Sequence, residues 1–105
     1  MAIQEGYKWT ETLVAELSDL GAELVFPTCA APWVSVPVTS NESIEIYSYE
    51  EFQVWLQAWD RTGGSSGEKE LYQGAYEGVV FAVREAYAQR MAELDRLARL
   101  ERRMG

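Results

Sequence analysis

The side chains in this sequence that could carry out chemistry are mainly carboxylates. Three pairs lie close together in the chain: Glu42 with Glu45, Glu50 with Glu51, and Glu68 with Glu70. Two carboxylates can act as an acid–base pair or hold a divalent ion. None of these pairs has the D-x-D-x-D-G spacing of a calcium loop. Each lies at an expected helix start, in a turn or on an exposed strand face, where acidic residues have structural reasons to occur. We therefore predict no catalytic or metal-binding residues among them.

Other catalytic chemistry lacks the residues that it needs. The sequence has no histidine, which is the commonest general base and metal ligand. Cys29 is the single cysteine and is interpreted as a small filler in a loop bounded by prolines. The glycine-rich run 63–67 lacks the lysine of a phosphate-binding loop and is interpreted as a connector, with weak anion binding left open. We predict a protein that is not an enzyme and uses no cofactor or metal. A small enzyme built on paired carboxylates is the remaining catalytic alternative.

Charge is distributed unevenly along the chain. The net charge is −8 over 105 residues. Residues 1–83 contain thirteen acidic and three basic side chains, whereas residues 84–105 contain four acidic residues and six arginines. An acidic body argues against direct binding to nucleic acid. It favours a basic protein partner or mimicry of nucleic acid, and the alternative is a merely solvated acidic surface.

The location of the protein is predicted from what the sequence lacks. No apolar run approaches the ~20 residues of a membrane span, and the chain does not open on a signal peptide. A single cysteine cannot form an internal disulfide, which fits a reducing compartment. We expect a cytoplasmic protein with no membrane contact.

The first half of the chain predicts one helix and three strands. Residues 1–8 are interpreted as an extended lead, and a helix begins near Trp9 with Thr10 as its N-cap and Gly21 at its end. Residues 23–26 are short and apolar enough for a strand, and alternating residues predict strands over 33–38 and 43–48. Pro37 indicates a sheet edge or a bulge, because proline cannot donate to the ladder.

The second half predicts two further helices. A capping box over residues 48–51 opens a helix whose apolar residues follow helical spacing: Phe52, Trp55, Leu56 and Trp59. A second capping box over residues 65–68 opens a helix through residue 104, roughly 55–60 Å long, against a domain width of about 35 Å. A kink near Gly74 or Gly78 is left open. The prediction is a single α+β domain over residues 1–105, ordered α-β-β-β-α-α. It has a small three-stranded antiparallel sheet, a body over 9–64 and a long helix over 65–104.

Two surfaces are candidates for binding. The hairpin face opposite its valines and isoleucines predicts an aromatic patch rimmed by acid, unless a helix covers it. Its residues are Trp33, Glu45 and Tyr47, with Glu50 and Glu51 beside them. The distal helix, 84–104, is arginine-rich and keeps an apolar stripe of Tyr87, Met91, Leu94, Leu97 and Ala98. Homodimerisation through this arm is the first hypothesis, and insertion into another protein's groove is the second. A frayed, exposed end is the alternative to both.

The whole chain loosely resembles small inhibitor proteins of bacteriophages and mobile elements, of the anti-CRISPR type. The features that carry the resemblance are the acidic residues 1–83, the missing histidine and the helix-plus-hairpin pattern that runs into residues 49–56. The resemblance implies a non-enzymatic inhibitor in the host cytoplasm, whose acidic surface blocks a basic, nucleic-acid-binding surface of a defence complex such as a CRISPR effector. The alternative is a phage structural or assembly protein that oligomerises through its C-terminal helix.

Overall fold

Along the described part of the chain, one α-helix is followed by five β-strands and then by a second α-helix. The computed structural model describes residues 5–28, 30–60 and 62–104. In order the elements are α1 (Lys8–Glu16), β1 (Glu23–Val25), β2 (Trp33–Thr39), β3 (Glu42–Ser48), β4 (Phe52–Trp59), β5 (Ser65–Gly74) and α2 (Val79–Met104). Short 3₁₀ helices cover Glu5–Tyr7, Ser18–Leu20 and Tyr76–Gly78. The α+β class is confirmed, but the predicted order and strand number are wrong, because two segments predicted to be helical are strands.

The sheet is an antiparallel meander with the strand order β1-β2-β3-β4-β5, so each strand pairs with its neighbour in sequence. The short strand β1 pairs only with residues 33–35 of β2. Pro37 therefore lies beyond the end of β1, and the register between β2 and β3 shifts directly after it. The predicted edge or bulge at Pro37 is confirmed in this form, since a residue that cannot donate a hydrogen bond is tolerated where the ladder ends or is interrupted.

One face of the sheet packs under both helices, and we call it the covered face. Alternate residues of β2, β3 and β4 point into this layer because side chains alternate along a strand. The buried core on this side consists of Leu13, Leu17, Val34, Val36, Val38, Ile44, Ile46, Val54, Val79 and Val83. All of them except Val38 are inaccessible to solvent. The predicted inward orientation of Ile44 and Ile46 is confirmed.

Residues 52–59 form a strand, so the helix predicted there is wrong. Apolar side chains occur on both faces of β4, and such a run satisfies a helical spacing as well as an alternating one. Phe52 and Val54 point to the covered face, whereas Trp55 points the other way. The predicted capping box at 48–51 is also wrong, because these residues end β3 and form the turn to β4, with the Tyr49 N–H donating to the Glu51 carbonyl at 3.1 Å.

The predicted 40-residue helix is wrong over its first third, and its capping box at 65–68 does not form. Residues 65–74 are strand β5, which finds its hydrogen-bond partners on β4 rather than within itself. Gly74 ends the strand with a φ of 155°, and Gly78 lies in a 3₁₀ helix against the ring of Tyr72. The chain thus changes from strand to helix between Gly74 and Gly78, the two positions at which the sequence leaves a kink open. The helix that remains, α2, has 26 residues. Its length is about 39 Å.

The N-terminal helix agrees with the prediction in outline. Gly21 closes the helical segment in the left-handed conformation, with a φ of 80°, as predicted. Thr10 is not the N-cap, because it lies inside α1 and its hydroxyl donates to the Tyr7 carbonyl at 2.7 Å. The lead over residues 1–8 is in part helical from Glu5 on. Residues 1–4 and Cys29 lie outside the described residues.

Two arginines of α2 hold this helix in place. Arg90 makes a two-pronged ion pair with Glu42 at the start of β3, with N···O distances of 2.7 and 2.9 Å. Arg84 bonds both carboxylate oxygens of Asp19 and the backbone carbonyl of Glu16, at the end of α1. The guanidinium groups lower the pKa of Glu42 and of Asp19 through these hydrogen bonds. Consequently the first half of α2 is fixed to both the sheet and α1.

Candidate functional site

The second face of the sheet, which we call the open face, carries aromatic, amide and acidic side chains. The strand registers arrange them in three cross-strand rows: Ser35, Glu45, Trp55 and Glu70; Pro37, Ser43, Gln57 and Glu68; and Trp33, Tyr47, Gln53 and Gln73. Both helices pack on the other side of the sheet. Most of these side chains are neither buried nor fully exposed, which is typical of residues that shield one another but lie under no second layer.

Aromatic rings form a continuous cluster at one end of the open face. The rings of Trp33 and Tyr47 lie 5.6 Å apart, and Tyr49 stacks on Tyr47 at 6.1 Å with an interplanar angle of 15°. These separations are typical of favourable aromatic pairs. Tyr49 remains 71 % exposed. Next to the rings, the loop at 30–32 borders a small cavity of about 130 Å³. This cluster is therefore an accessible, preformed apolar surface.

Glu45 lies in the middle of the open face and is buried, although the sequence predicts an outward, solvent-facing residue. Its side chain does point away from the core, but the residue is only 6 % exposed. The indole N–H of Trp33 donates to Oε1 of Glu45 at 3.4 Å, and Oε2 has no hydrogen-bond partner among the described residues. Burial raises the pKa of this carboxyl, and the hydroxyls of Ser35 and Ser43 partly offset that rise. Large neighbouring side chains on the same face, rather than a helix, enclose the carboxylate.

The electrostatic character of the open face is acidic. None of the side chains in its three rows is basic, and Lys69 lies instead in a groove beside α2. Within the described part of the chain, neither Glu68 nor Glu70 takes part in an ion pair. Burial, followed by the charges of Glu45 and other neighbours including Glu68, raises the pKa of Tyr47 to about 12. The face is thus suited to attract a cation.

The five residues predicted for partner binding lie on the open face or in the turn beside it. Trp33, Glu45 and Tyr47 share the open face, as their alternation predicts. Glu50 and Glu51 are exposed in the turn between β3 and β4, where they border a shallow depression shared with Gln53 and Gln73. The sequence predicts the start of a helix at these residues. They lie close to the open face because they form the turn that joins β3 to β4.

The other two carboxylate pairs that the sequence offers for catalysis are placed differently from each other. Glu42 and Glu45 are separated, because Glu42 binds Arg90 from the covered side while Glu45 lies on the open face. Glu68 and Glu70 face Gln57 and Trp55 across the β4–β5 ladder. Among residues 5–28, 30–60 and 62–104, no three cysteine or acidic side chains converge as ligands for a metal ion. In the same ranges, no helix combines the length and apolar character needed to cross a membrane.

The residues predicted for the dimerisation arm divide into two groups. Tyr87 and Leu94 pack partly against the core of their own chain. Met91 and Leu97 are 39 % and 42 % exposed, and Ala98 is exposed as well. All residues from Asp95 to Arg103 are exposed, and the molecule measures 53 Å along its longest axis. Only the part of α2 beyond Leu94 therefore remains as a free arm.

Sequence reasoning missed several residues of the open face. The sequence analysis predicts a helix that includes Gln53, Trp55 and Gln57. These residues recur at two-residue steps, which is also the pattern of a strand with one polar face. Glu68 and Glu70 on β5 were likewise placed in a helix. Alternation of glutamine and tryptophan with aliphatic residues over 52–59 is the signal that could have found the first three.

Comparisons with protein-family models, with curated proteins and with solved structures find no match to this chain. Any function must therefore be inferred from the open face and from the exposed arm.

Proposed function

We propose that this protein is a non-enzymatic binding protein whose open face covers a basic surface of another protein. The observation that carries the proposal is the combination of an aromatic cluster with carboxylates that form no ion pair within residues 5–28, 30–60 and 62–104, on the face opposite both described α-helices. A few residues, in which tryptophan, tyrosine and arginine are enriched, supply most of the binding energy at protein interfaces, and complementary charge speeds and selects the encounter. Solubility alone does not explain why four large aromatic residues lie on one side of the sheet. They are two tryptophans and two tyrosines: Trp33, Trp55, Tyr47 and Tyr49.

The kind of partner follows from the charge. A surface rich in lysine and arginine normally serves to bind phosphate groups, so an acidic protein that covers it competes with nucleic acid. By resemblance to small phage-encoded inhibitors, the partner would be a host defence complex such as a CRISPR effector, and the action would be steric and electrostatic blocking in the host cytoplasm. We expect the chain itself not to bind nucleic acid.

Site-specific cross-linking tests the proposal. A photoreactive amino acid at Gln57 on the open face should capture a protein partner in the source cell, whereas the same group at the exposed Ala15 of α1 should not. The captured protein is then purified, and the wild-type chain should displace nucleic acid from it.

A charge-reversal pair sharpens the second step. Changing Glu68 and Glu70 to lysine should weaken displacement at least tenfold, and the effect should fall as salt is raised. Glu77 and Glu85, which are exposed on the opposite side of the sheet, provide a control with the same charge change. Equal losses from both pairs would show that net charge alone matters, and the proposed role of the open face would be wrong.

A second function, oligomeric assembly through the distal arm, is favoured by one specific observation. Met91, Leu97 and Leu100 are 39 %, 42 % and 46 % exposed on a helix that extends beyond the sheet. Truncation after Asp95 removes most of this surface and retains both Leu94 and the Arg90–Glu42 ion pair. If the chain is an assembly protein, truncation should convert a dimer or larger species to a monomer in sedimentation experiments without unfolding it. If it is an inhibitor, displacement of nucleic acid should survive the truncation.

A further inference from the structure

Glu45 has a buried carboxylate that forms no ion pair within the described part of the chain. It is 6 % exposed; the indole N–H of Trp33 donates to Oε1 at 3.4 Å, and the hydroxyls of Ser35 and Ser43 also interact with the carboxylate. Oε2 is out of contact with solvent and accepts no hydrogen bond within the described structure. None of the ion pairs formed by the described residues includes Glu45. A buried charge in this situation is destabilising unless a partner completes it.

The immediate neighbours of Glu45 are of two kinds. Trp55 lies directly across from it on β4, Tyr47 lies two residues on along β3, and Trp33 approaches from β2. Ser35 and Ser43 supply hydroxyl groups beside the same carboxylate. Three aromatic residues and this carboxylate therefore occupy neighbouring positions on the open face, and the Trp33 ring contacts the carboxylate directly. Aromatic faces attract cations, and they attract them more strongly where water is excluded.

Arginine suits this arrangement better than lysine does. The guanidinium group is planar, stacks on aromatic rings and sheds its hydration more readily than an ammonium group. It can also donate to a carboxylate while its plane lies against a ring. A lysine would bring a compact, strongly hydrated charge that cannot stack in this way.

We propose that Glu45, with Trp33, Tyr47 and Trp55, forms a receptor for a single arginine side chain of the basic protein partner. This proposal rests on the proposed function and names the contact by which the open face recognises its partner. The guanidinium donates to Oε2 of Glu45 and lies against the surrounding rings. Because Oε2 is out of contact with solvent, a neighbouring ring must swing aside to admit the arginine, so binding should change the tryptophan fluorescence.

The test uses a defined probe, a peptide of four Gly-Arg repeats, together with versions in which lysine or citrulline replaces arginine. The wild-type chain should bind the arginine peptide at least tenfold more tightly than either version. Glu45→Gln should lose at least tenfold in affinity for the arginine peptide, whereas Glu77→Gln, which removes the same charge from an exposed 3₁₀ turn, should change it less than twofold. Equal binding of the lysine peptide, or unchanged binding by Glu45→Gln, would overturn the proposal.

A measurement on the unmutated chain guards against misfolding of the variant. The carboxyl carbon of Glu45, followed by NMR, should titrate at lower pH when the arginine peptide is present. At constant pH, the arginine peptide should change the side-chain resonances of the other ionisable residues on this face, Tyr47, Glu68, Glu70 and Glu23, less than those of Glu45. No change in the titration of Glu45 would contradict direct contact.

The failure of this proposal can be told apart from the failure of the proposed function. If charge reversal at Glu68 and Glu70 abolishes displacement of nucleic acid but Glu45→Gln does not, the open face binds its partner without an arginine receptor. If neither change affects displacement, both proposals are wrong.

Discussion

The two faces of this sheet are built from the same strands but from different kinds of side chain. On the covered face, Val34, Ile44, Ile46 and Val54 are inaccessible to solvent and belong to the hydrophobic core. One residue further along each strand, the open face has aromatic rings, amides and carboxylates that are mostly half-exposed. Within the described residues, each side of the sheet has one buried side-chain polar atom without a hydrogen-bond partner: the indole nitrogen of Trp9 on the covered side and Oε2 of Glu45 on the open face. Only the second belongs to an ionisable group.

This difference indicates how the two faces divide the work of folding and binding. Branched aliphatic residues fill a core with few polar atoms to satisfy, so they stabilise the fold. Large aromatic rings beside carboxylates are a poor choice for solubility and a good one for an interface. Mutations on the covered face should therefore affect stability, and those on the open face should affect binding.

The largest effect is expected from truncating a side chain on the covered face. Ile46→Ala should reduce the free energy of unfolding by about 2–5 kcal/mol, because it leaves a cavity among residues that cannot collapse into it. Gln53→Ala, on the open face of the adjacent strand, should cost less than about 1 kcal/mol. Urea unfolding followed by circular dichroism measures both. Similar losses of unfolding free energy in the two variants would contradict the assignment of stability to the covered face and binding to the open face.

A second prediction concerns Gly78, which lies just before α2 and close to the side chain of Tyr72 on β5. A methyl group on Gly78 would lie 2.6 Å from the ring carbon Cζ of Tyr72, whose hydroxyl donates to the Ala75 carbonyl. Gly78→Ala should therefore cost about 1–3 kcal/mol through overpacking. Gly67→Ala, where a methyl group meets nothing within 4 Å, is the matched control and should be nearly neutral. Thermal unfolding of the two variants gives the comparison, and an unaffected Gly78→Ala would show that Tyr72 is free to move.

A third, smaller effect is expected at the ion pair that holds α2 on the sheet. Glu42→Gln should cost about 1–2 kcal/mol, since it weakens charged hydrogen bonds in a partly buried place. Asp95→Asn, which removes the exposed pair with Arg99, should cost less than about 0.5 kcal/mol.

The same pair should appear in the pH dependence of stability. The pKa of Glu42 is lowered in the folded state, so its contribution is present above the unfolded value near 4.5 and is lost as the pH falls through the folded pKa. The Glu42→Gln variant should lack this part of the acid unfolding. An unchanged acid profile would contradict the prediction.

The smallest effect is expected on the open face and has the opposite sign. Burial raises the pKa of Glu45, so its contribution to stability is present below the unfolded value near 4.5 and is lost as the pH rises through the folded pKa. Glu45→Gln should therefore be at least as stable as the wild type at pH 8, although it should lose binding. Chemical unfolding at pH 4 and pH 8 checks this, with Glu77→Gln as the control. A Glu45→Gln variant that is destabilised at pH 8 would make Glu45 a structural residue.

The sequence predicts the local features of this fold better than the distant ones. Alternation identified the inward residues of β2 and β3, and residue chemistry identified the turn at Gly21 and the bulge at Pro37, because each depends on nearby residues alone. Strand β5 was missed because its polar sequence is held by a ladder to β4, which no local pattern reveals. The burial of Glu45 was missed for the same reason: it depends on Trp55, which lies beside it only once β4 is a strand.

The antiparallel meander also determines the order in which tertiary contacts can form while the chain is being synthesised. Every strand pairs with the next one in the chain, and such local pairings form quickly. Contacts such as that from Arg84 to Asp19 join residues 65 apart and can form only after the whole sheet has been synthesised. During translation, the covered face is therefore without one of its two helices until α2 leaves the ribosome. We expect this interval, rather than the finished molecule, to be when the chain is most prone to aggregate.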